Sequence, residues 1–274
     1  MIFDIDHPEV VDAVHRALYE DTGTGDVTTE ACIPADLKAE GRFVARQEMI
    51  VAGSELLYLL FDDVRIERHS SDPANDGQVI AIVRGPAQIL LTRERVALNF
   101  LQRLSGIATL ARRYVDAIQG TGCRILDTRK TTPGLRRLEK MAAEAGGAMN
   151  HRMGLFDAVL IKNNHISLAG GIKLAVARAM ATEYPVELEV RTREEIDEAL
   201  NLGVQHLLLD NMTPEQARAE IRHIDGRAKV ELSGGINLNS ARAYAEAGAD
   251  FISVGAITHS ATAVDINLRI EPLA

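Results

Sequence analysis

The chain has 274 residues, of which 46% are apolar and 25% charged, values typical of a folded globular protein with a sizeable core. Its formal net charge of −9 argues against general nucleic-acid binding, which needs a basic face. An acidic protein can still contain a locally basic cleft that binds a small anion. Two cysteines, Cys32 and Cys123, exclude a disulfide framework and a CxxC metal site. The chain shows neither a signal-peptide pattern nor a membrane-spanning apolar run, so we expect a cytoplasmic protein.

The first hundred residues indicate one early helix followed by strands. Residues 8–20 have a helical pattern, and the turn formers of residues 21–30 end it. Residues 92–120 are predicted to be mostly helical, because their apolar residues recur every three or four positions. Gly106 is predicted to mark a joint within that helix. The β-rich runs of this region are residues 41–47, 78–85 and 87–91.

From residue 121 onward, short apolar runs alternate with helical segments. This alternation predicts a parallel sheet, either in an α/β barrel that is incomplete or in a doubly wound sheet, which periodicity does not separate. Thr192 with Glu195 and Thr213 with Gln216 fit capping boxes at helix starts. Glycines are expected to end three of the helices, at Gly203, Gly226 and Gly248. The predicted strands are residues 124–127, 157–162, 186–190, 206–210, 229–233 and 251–255.

Polar residues occur at the carboxyl end of every one of these six strands. In parallel α/β folds this edge is where active sites are built, so the recurrence favours function over ordinary surface polarity. The residues are Asp127, Arg129, Lys130, Lys162, Glu189, Asp210, Ser233, Gly234, Gly235 and Gly255.

Cations gather near the first two strands and predict a site for a multiply charged anion. Arginine holds a carboxylate with two hydrogen bonds, whereas lysine supplies a point charge. The alternative is surface ion pairing, which we expect for Arg136, Arg137 and Lys140, the last with Glu144. The remaining histidines considered, which include His206, have no comparable context and are expected to be structural or surface residues. The gathered cations are Arg129, Lys130, His151, Arg152 and Lys162.

Glu189 and Asp210 form an acidic pair on neighbouring strands. Such carboxylates suit Mg²⁺ that bridges to phosphates, but they also suit ion pairs with Lys162, and both roles can hold together. The last two strands run into the glycine turns LSGGIN (232–237) and SVGAITHS (253–260). In TIM barrels the corresponding turns commonly bind a phosphate through backbone N–H groups.

Long motifs carry a resemblance to one enzyme family, the quinolinate phosphoribosyltransferases, or carboxylating nicotinate-nucleotide pyrophosphorylases. The resemblance covers nearly the whole chain, and so many long motifs in one order are highly specific. The motifs are GTGDVTTE (23–30), LTRERVALNFLQRLSGIAT (91–109), LDTRKTTPGLRRLEK (126–140), NHRMGLFDAVLIKNNHI (150–166), LLLDNM (207–212), ELSGGIN (231–237) and ISVGAITHSATAVDINL (252–268).

The resemblance implies a glycosyltransferase of NAD biosynthesis that converts quinolinate and phosphoribosyl pyrophosphate (PRPP) to nicotinate mononucleotide, pyrophosphate and CO₂. It implies an N-terminal α/β sandwich domain over residues 1–105, to which residues 265–274 return, and a catalytic, incomplete α/β (TIM-like) barrel over residues 106–264. It also implies a homodimer and leaves a higher oligomer open. Arg95 resembles the arginine that enters the partner's active site, whereas the pattern alone indicates an exposed helical residue.

The resemblance also implies a role for each site residue. Lys162, Glu189 and Asp210 are expected to be catalytic, and Glu189 and Asp210 to face the ribose hydroxyls and Mg²⁺ bound with pyrophosphate. The residues expected to bind the carboxylates of quinolinate are Arg95, Arg129, His151, Arg152 and Lys162. Those expected to bind PRPP and its phosphates are Lys130, Ser233, Gly234, Gly235, Gly255 and Ala256.

Three positions depart from the family pattern. The family often reads GGGHNHR, whereas this chain reads GGAMNHR (146–152), and Asn163 stands where aspartate is common. Because Met149 replaces the family's histidine, a catalytically inactive binding protein is one alternative. A relative acting on another acid, from the molybdenum-transport-associated branch, would need fewer cations. An unrelated phosphate-binding barrel enzyme would lack the TRKTTPG motif and the Arg95 segment.

Overall fold

The computed structural model of the protein describes residues 4–61, 63–69 and 72–273. Its helices are Pro8–Thr22 (α1), Val27–Cys32 (α2), Leu57–Leu60 (α3), Ala87–Ala117 (α4), Arg136–Ala145 (α5), Asn163–Ala169 (α6), Ile172–Met180 (α7), Arg193–Asn201 (α8), Pro214–Ile224 (α9), Leu238–Ala245 (α10) and Ala256–His259 (α11). Its strands are Lys38–Ala45 (β1), Arg65–Arg68 (β2), Val79–Pro86 (β3), Arg124–Leu126 (β4), Val159–Ile161 (β5), Val186–Val190 (β6), His206–Asp210 (β7), Lys229–Ser233 (β8), Phe251–Ser253 (β9) and Ile266–Pro272 (β10).

Contacts divide the chain into two compact units. One unit consists of the described residues up to Arg112, Thr131–Gly147 and the residues from Thr258 on. The other consists of Arg113–Lys130 and Ala148–Ile257. Helix α4 runs unbroken through residue 105, so no break in the chain marks the predicted domain boundary there. The boundary between residues 105 and 106 stays a prediction.

The first unit contains a four-stranded antiparallel sheet in the order β10-β1-β3-β2. The last strand, β10, pairs with β1 along its length, with Gly41 opposite Ile270. Strand β1 buries alternate side chains, among them Ala39 and Phe43, as expected of a sheet with one face on a core. Helix α4 buries residues at three- and four-residue spacing, from Ala97 and Leu101 to Leu104 and Ala108.

The second unit contains a six-stranded parallel sheet in the order β4-β9-β8-β7-β6-β5. Strands β5 to β9 lie side by side in chain order, and the first strand of the series, β4, pairs with the last, β9, with Ile125 opposite Ile252. A doubly wound sheet instead reverses its strand order at a switch point. Among the described strands β4 and β5 do not pair, so the barrel is incomplete. The predicted fold, an incomplete α/β (TIM-like) barrel with an N-terminal α/β sandwich domain, is confirmed.

Residues 87–91 are helical, so the predicted strand there is wrong. The segment forms the first turn of α4, with Ala87 and Leu90 buried three residues apart. The predicted joint at Gly106 is also wrong, since α4 continues through it. A β-carbon on Gly106 would lie 2.2 Å from the carbonyl oxygen of Thr262, so this glycine permits close packing of residue 262 against α4.

Several further features were not expected from the sequence. Helix α2 lies within and beyond the predicted turn region, β2 consists largely of exposed residues, and α6 follows directly after β5. The prediction of a solvated Lys140 is wrong, because its side chain and that of Glu139 are fully buried. Among the described helices, none combines the length and apolar character that crossing a bilayer requires.

Candidate active site

The carboxyl ends of the six parallel strands carry the predicted polar residues, and all but one of the predicted site residues belong to this barrel unit. Arg95 lies on α4 in the other unit, where its side chain is exposed. The structure thus agrees with the pattern-based expectation of an exposed helical arginine. Its entry into a partner's site stays a prediction.

Asp127 follows β4 and organises the segment that contains His151. Residue 149 pairs with β4 as an added parallel bridge, with Met149 donating to the carbonyl of Ile125 and accepting from the amide of Asp127. The buried carboxylate of Asp127 accepts a hydrogen bond from the His151 amide at 2.8 Å. These contacts fix the backbone of residues 149–151 at the edge of β4.

The side chain of His151 points toward the barrel interior. Its Nε2 lies 3.1 Å from Oε2 of Glu187 and 3.6 Å from Oε1 of Glu231. Both glutamates are buried, on β6 and β8, although the sequence analysis gave them no role. The signal that could have found them is a charged residue inside each otherwise apolar strand, in VELEV and KVELS.

Arg152 is held by the loop that leads to β5. Its Nη1 donates to the carbonyl of Ala158 at 3.0 Å, and the loop is closed by Asp157, which accepts from the amides of Met153 and Gly154. Burial and the neighbouring Arg129 guanidinium lower the pKa of Arg152. Two neighbouring guanidinium groups are both positively charged and repel each other. An anion bound between them is therefore favoured.

Lys162 lies at the junction of β5 and α6. Its side chain is 48% exposed, and Nζ lies 3.4 Å from Oε2 of Glu189, whose side chain is 7% exposed. The backbone amide of Lys162 donates to Nδ1 of His165 at 2.9 Å, which fixes the start of α6. The predicted ion pair with Glu189 is therefore present, and the ammonium keeps an exposed side.

Glu189 has a second cationic neighbour that sequence reasoning missed. Arg191 donates from Nη2 to Oε1 of Glu189 at 3.1 Å. The residue follows β6 directly, so the strand-end rule that singled out the other cations could have found it. Lys162 and Arg191 together occupy both oxygens of this buried carboxylate.

Asp210 and the glycine turn after β8 lie beside each other, because Asp210 is opposite Ser233 in the sheet. Asn211 has a positive φ of 57°, donates its amide to the carbonyl of Ser233 and donates from its side chain to Oδ2 of Asp210. Gly234 has φ 102°, and a β-carbon there would lie 2.3 Å from Oδ1 of Asn211. This turn therefore needs glycine at residue 234.

The second glycine turn lies on the neighbouring strand, since β8 pairs with β9. Gly255 and Ala256 follow β9 after Val254 and are half-buried. Lys130 is exposed beyond β4, which is the other neighbour of β9. The structure thus brings the two predicted phosphate turns onto adjacent strands of one sheet.

This fold and this site define a class: an incomplete α/β barrel that carries a cationic cluster, a buried acidic residue and two glycine turns at the carboxyl edge of its strands. Family models match both parts of the chain, the N-terminal domain of quinolinate phosphoribosyl transferase over residues 26–105 and the C-terminal domain over residues 107–269. The chain belongs to the quinolinate phosphoribosyltransferase family.

Relatives agree along nearly the whole chain. The chain is 40% identical to the nicotinate-nucleotide pyrophosphorylase (carboxylating) of Mycobacterium leprae over 98% of this chain and 100% of that protein. It is 38% identical to the probable enzyme of that name from Bacillus subtilis, over 97% and 95%. The solved structure of NadC from Streptococcus pyogenes superposes with a TM-score of 0.92 at 35% identity, covering 100% of this chain and 99% of that one.

Proposed function

We propose that the protein is a quinolinate phosphoribosyltransferase, which joins quinolinate to PRPP and releases nicotinate mononucleotide, pyrophosphate and CO₂. The observation that carries this proposal is the match to both domains of one family, in order, over residues 26–269. The retained cations at the barrel edge support it, because a dicarboxylate needs several positive groups to replace its hydration.

Quinolinate binds through the cations around the first two strands. Arg129 lies close enough to Arg152 to lower the pKa of Arg152, and a carboxylate accepts two hydrogen bonds from such a group. His151 stands beside them on a backbone fixed by Asp127. Lys162 presents its exposed ammonium from the next strand. Together they hold the two carboxylates and orient the pyridine nitrogen.

PRPP binds across the later strands. Its 5′-phosphate is cradled by the turns at Ser233–Gly235 and Gly255–Ala256, whose lack of bulky side chains lets backbone amides approach. Lys130 lies near the ligand phosphates. The ribose faces Glu189 and Asp210.

Asp210 and Glu189 would hold a Mg²⁺ ion that accompanies the pyrophosphate of PRPP. Their carboxylate oxygens are the donors that Mg²⁺ prefers. Asp210 is the better placed of the two, because both oxygens of Glu189 already contact cations. The ion would neutralise the charge that develops on the departing pyrophosphate.

The chain's own residues act by positioning and electrostatics. The pyridine nitrogen attacks C1 of the ribose as the C1–oxygen bond to pyrophosphate breaks, and positive charge develops on the sugar. Carboxylates fixed beside that charge stabilise the transition state without having to reorganise. The nitrogen of the product ring is cationic. The bond from C2 to its carboxylate can then break, leaving an electron pair on C2 that takes up a proton as CO₂ departs.

The protein acts as a homodimer in which Arg95 of each subunit enters the partner's site. This arrangement is supported by the exposure of Arg95 on α4 and by its place in the LTRERVALNF motif. A further carboxylate-binding cation from the partner suits a substrate with two carboxylates.

An endpoint assay tests the proposal. Purified protein is incubated with quinolinate, PRPP and Mg²⁺, and chromatography is used to detect nicotinate mononucleotide, with nicotinate as the parallel substrate. Product from quinolinate alone is expected. Product from nicotinate alone would contradict the substrate assignment, and no product from a folded dimer would point to a binding protein.

A further inference from the structure

Four side chains form a closed ring inside the barrel, one layer below the substrate-facing edge. His151 Nε2 lies 3.1 Å from Oε2 of Glu187 and 3.6 Å from Oε1 of Glu231. His206 Nε2 lies 3.6 Å from Oε2 of Glu231 and 3.8 Å from Oε1 of Glu187. Each carboxylate thus faces both imidazoles with different oxygens. The four residues come from the segment beside β4 and from strands β6, β7 and β8.

Hydrogen bonds do not account for this ring. Only the distance from His151 to Glu187 falls within hydrogen-bonding range, and the other three are too long. Both oxygens of Glu231, Oε1 of Glu187 and Nε2 of His206 are buried without a hydrogen-bond partner. Glu231 is fully buried, and the buried Glu187 lies beside it. Two adjacent buried carboxylates are costly unless a positive charge stabilises them.

The distances around His151 are close to the edges of a tetrahedral coordination sphere. Bonds of about 2.0–2.2 Å from zinc to nitrogen or oxygen place neighbouring ligand atoms roughly 3.3–3.6 Å apart. His151 Nε2 lies 3.1 Å from one oxygen of Glu187 and 3.6 Å from one oxygen of Glu231, and the three donor atoms all lie within 4.8 Å of one another. A cation bound by these three atoms would satisfy buried carboxylate oxygens that hydrogen bonds do not.

We propose that His151, Glu187 and Glu231 bind a divalent transition-metal ion of zinc-like preference, at a site separate from Glu189 and Asp210. One imidazole and two carboxylates suit Zn²⁺ or Co²⁺, whereas Mg²⁺ prefers oxygen ligands alone. Three protein ligands leave the fourth tetrahedral position to water. His206 lies beside the two carboxylates, outside this set of three ligands. The bound ion holds the imidazole of His151 in one orientation.

Cobalt titration tests this site without relying on enzymatic activity. Full-length protein is treated with a chelator, dialysed and titrated with Co²⁺, whose tetrahedral complexes absorb strongly in the visible range. We expect one Co²⁺ per chain, released by an equimolar amount of Zn²⁺ and unaffected by excess Mg²⁺. Glu231→Gln and Glu187→Gln should each weaken Co²⁺ binding by more than about tenfold, because each removes a ligand.

His223→Gln is the matched control. His223 pairs with Asp197 at 2.6 Å on the helical surface, so its loss should leave Co²⁺ binding unchanged. Circular dichroism establishes that each variant is folded, and Zn²⁺-dependent thermal stabilisation of the unmodified protein provides a second measurement if a variant is not. The proposal is overturned if the folded protein shows neither a tetrahedral Co²⁺ spectrum nor stabilisation by Zn²⁺, which would leave the ring held by protons alone. Retained binding in both ligand variants would also overturn it.

Discussion

Lys162 combines an exposed ammonium with a carboxylate partner that is nearly fully buried, Glu189. Lys162→Met is expected to lower kcat/KM for quinolinate by roughly 100-fold, because losing one partner of a charged contact costs roughly 3 kcal/mol. Steady-state kinetics at saturating PRPP measures this. Lys173→Met, which removes an exposed lysine from α7, is the control and should leave the kinetics unchanged. Near-normal turnover of Lys162→Met would exclude the role proposed for this residue.

Met149 departs from the family pattern, but its side chain is directed toward the start of β4. Its sulfur lies 3.6 Å from Nη1 of Arg124, at the opposite end of that strand from Asp127. Met149→His is therefore expected to leave the KM for quinolinate unchanged and to alter the unfolding free energy by no more than about 0.5 kcal/mol. Kinetics and urea unfolding measure the two quantities, and a large drop in KM would show that the family histidine acts in the site.

The residue scale also shows where sequence reasoning stops. Charge and strand-end position predicted a site at Lys162, Glu189 and Asp210, because those rules need only the local chain. They missed Arg191 and misjudged Lys140, which is buried. Burial of a helical lysine depends on which elements pack around α5, and that information is spread over the whole chain.

At the scale of elements, helix α9 begins with the predicted capping box. Thr213 accepts from the amide of Gln216 at 3.3 Å, and Gln216 accepts from the amide of Thr213 at 2.9 Å. Thr213→Ala is expected to lower the unfolding free energy by about 1 kcal/mol, since it leaves a helix-end amide without its acceptor. Urea denaturation measures the loss. Thr213→Ser keeps the hydroxyl and should lose much less, and equal losses in both variants would contradict the capping explanation.

The predicted box at α8 is only half formed. Thr192 accepts from the amide of Glu195, but the Glu195 side chain accepts from Arg191, one residue before the expected position. At α6, His165 fills the role that glutamate or glutamine normally has, by accepting from the amide of Lys162. That substitution explains why the capping signature did not reveal α6.

The two neighbouring glycines of the turn after β8 differ in their surroundings. Gly234 has no room for a β-carbon beside Asn211, whereas Gly235 has nothing within 4 Å of that position. Both have positive φ, so the pair separates steric conflict from backbone strain. Gly234→Ala should raise the KM for PRPP more than Gly235→Ala does. Initial rates at varied PRPP measure the difference, and an equal effect would show that backbone strain alone matters.

At the scale of the whole molecule, the proposed sharing of sites predicts complementation. Arg95→Ala and Lys162→Met should each be nearly inactive as homodimers, because each site loses a carboxylate-binding cation. A mixed dimer should recover activity, because one of its two sites contains both native residues. Refolding the two variants together, with purification of the mixed species by two affinity tags, allows the measurement. Verified mixed dimers without activity would argue against a shared site.

By itself, the sequence determined the order and type of most elements in the barrel. The apolar runs, the caps at Thr192 and Thr213 and the strand-end polar residues are local patterns, and local backbone preferences are set by neighbouring residues. The motif resemblance added the family and the incomplete barrel, which periodicity left undecided.

Only the tertiary structure decided which strands are neighbours and which charged side chains meet. The pairing of β4 with β9 distinguishes a barrel from a doubly wound sheet, and no local pattern encodes it. The meeting of His151 with Glu187, His206 and Glu231 likewise joins residues that are far apart along the chain. Their contacts follow from burial inside the parallel sheet, and the free energy of each charge depends on every group packed around it.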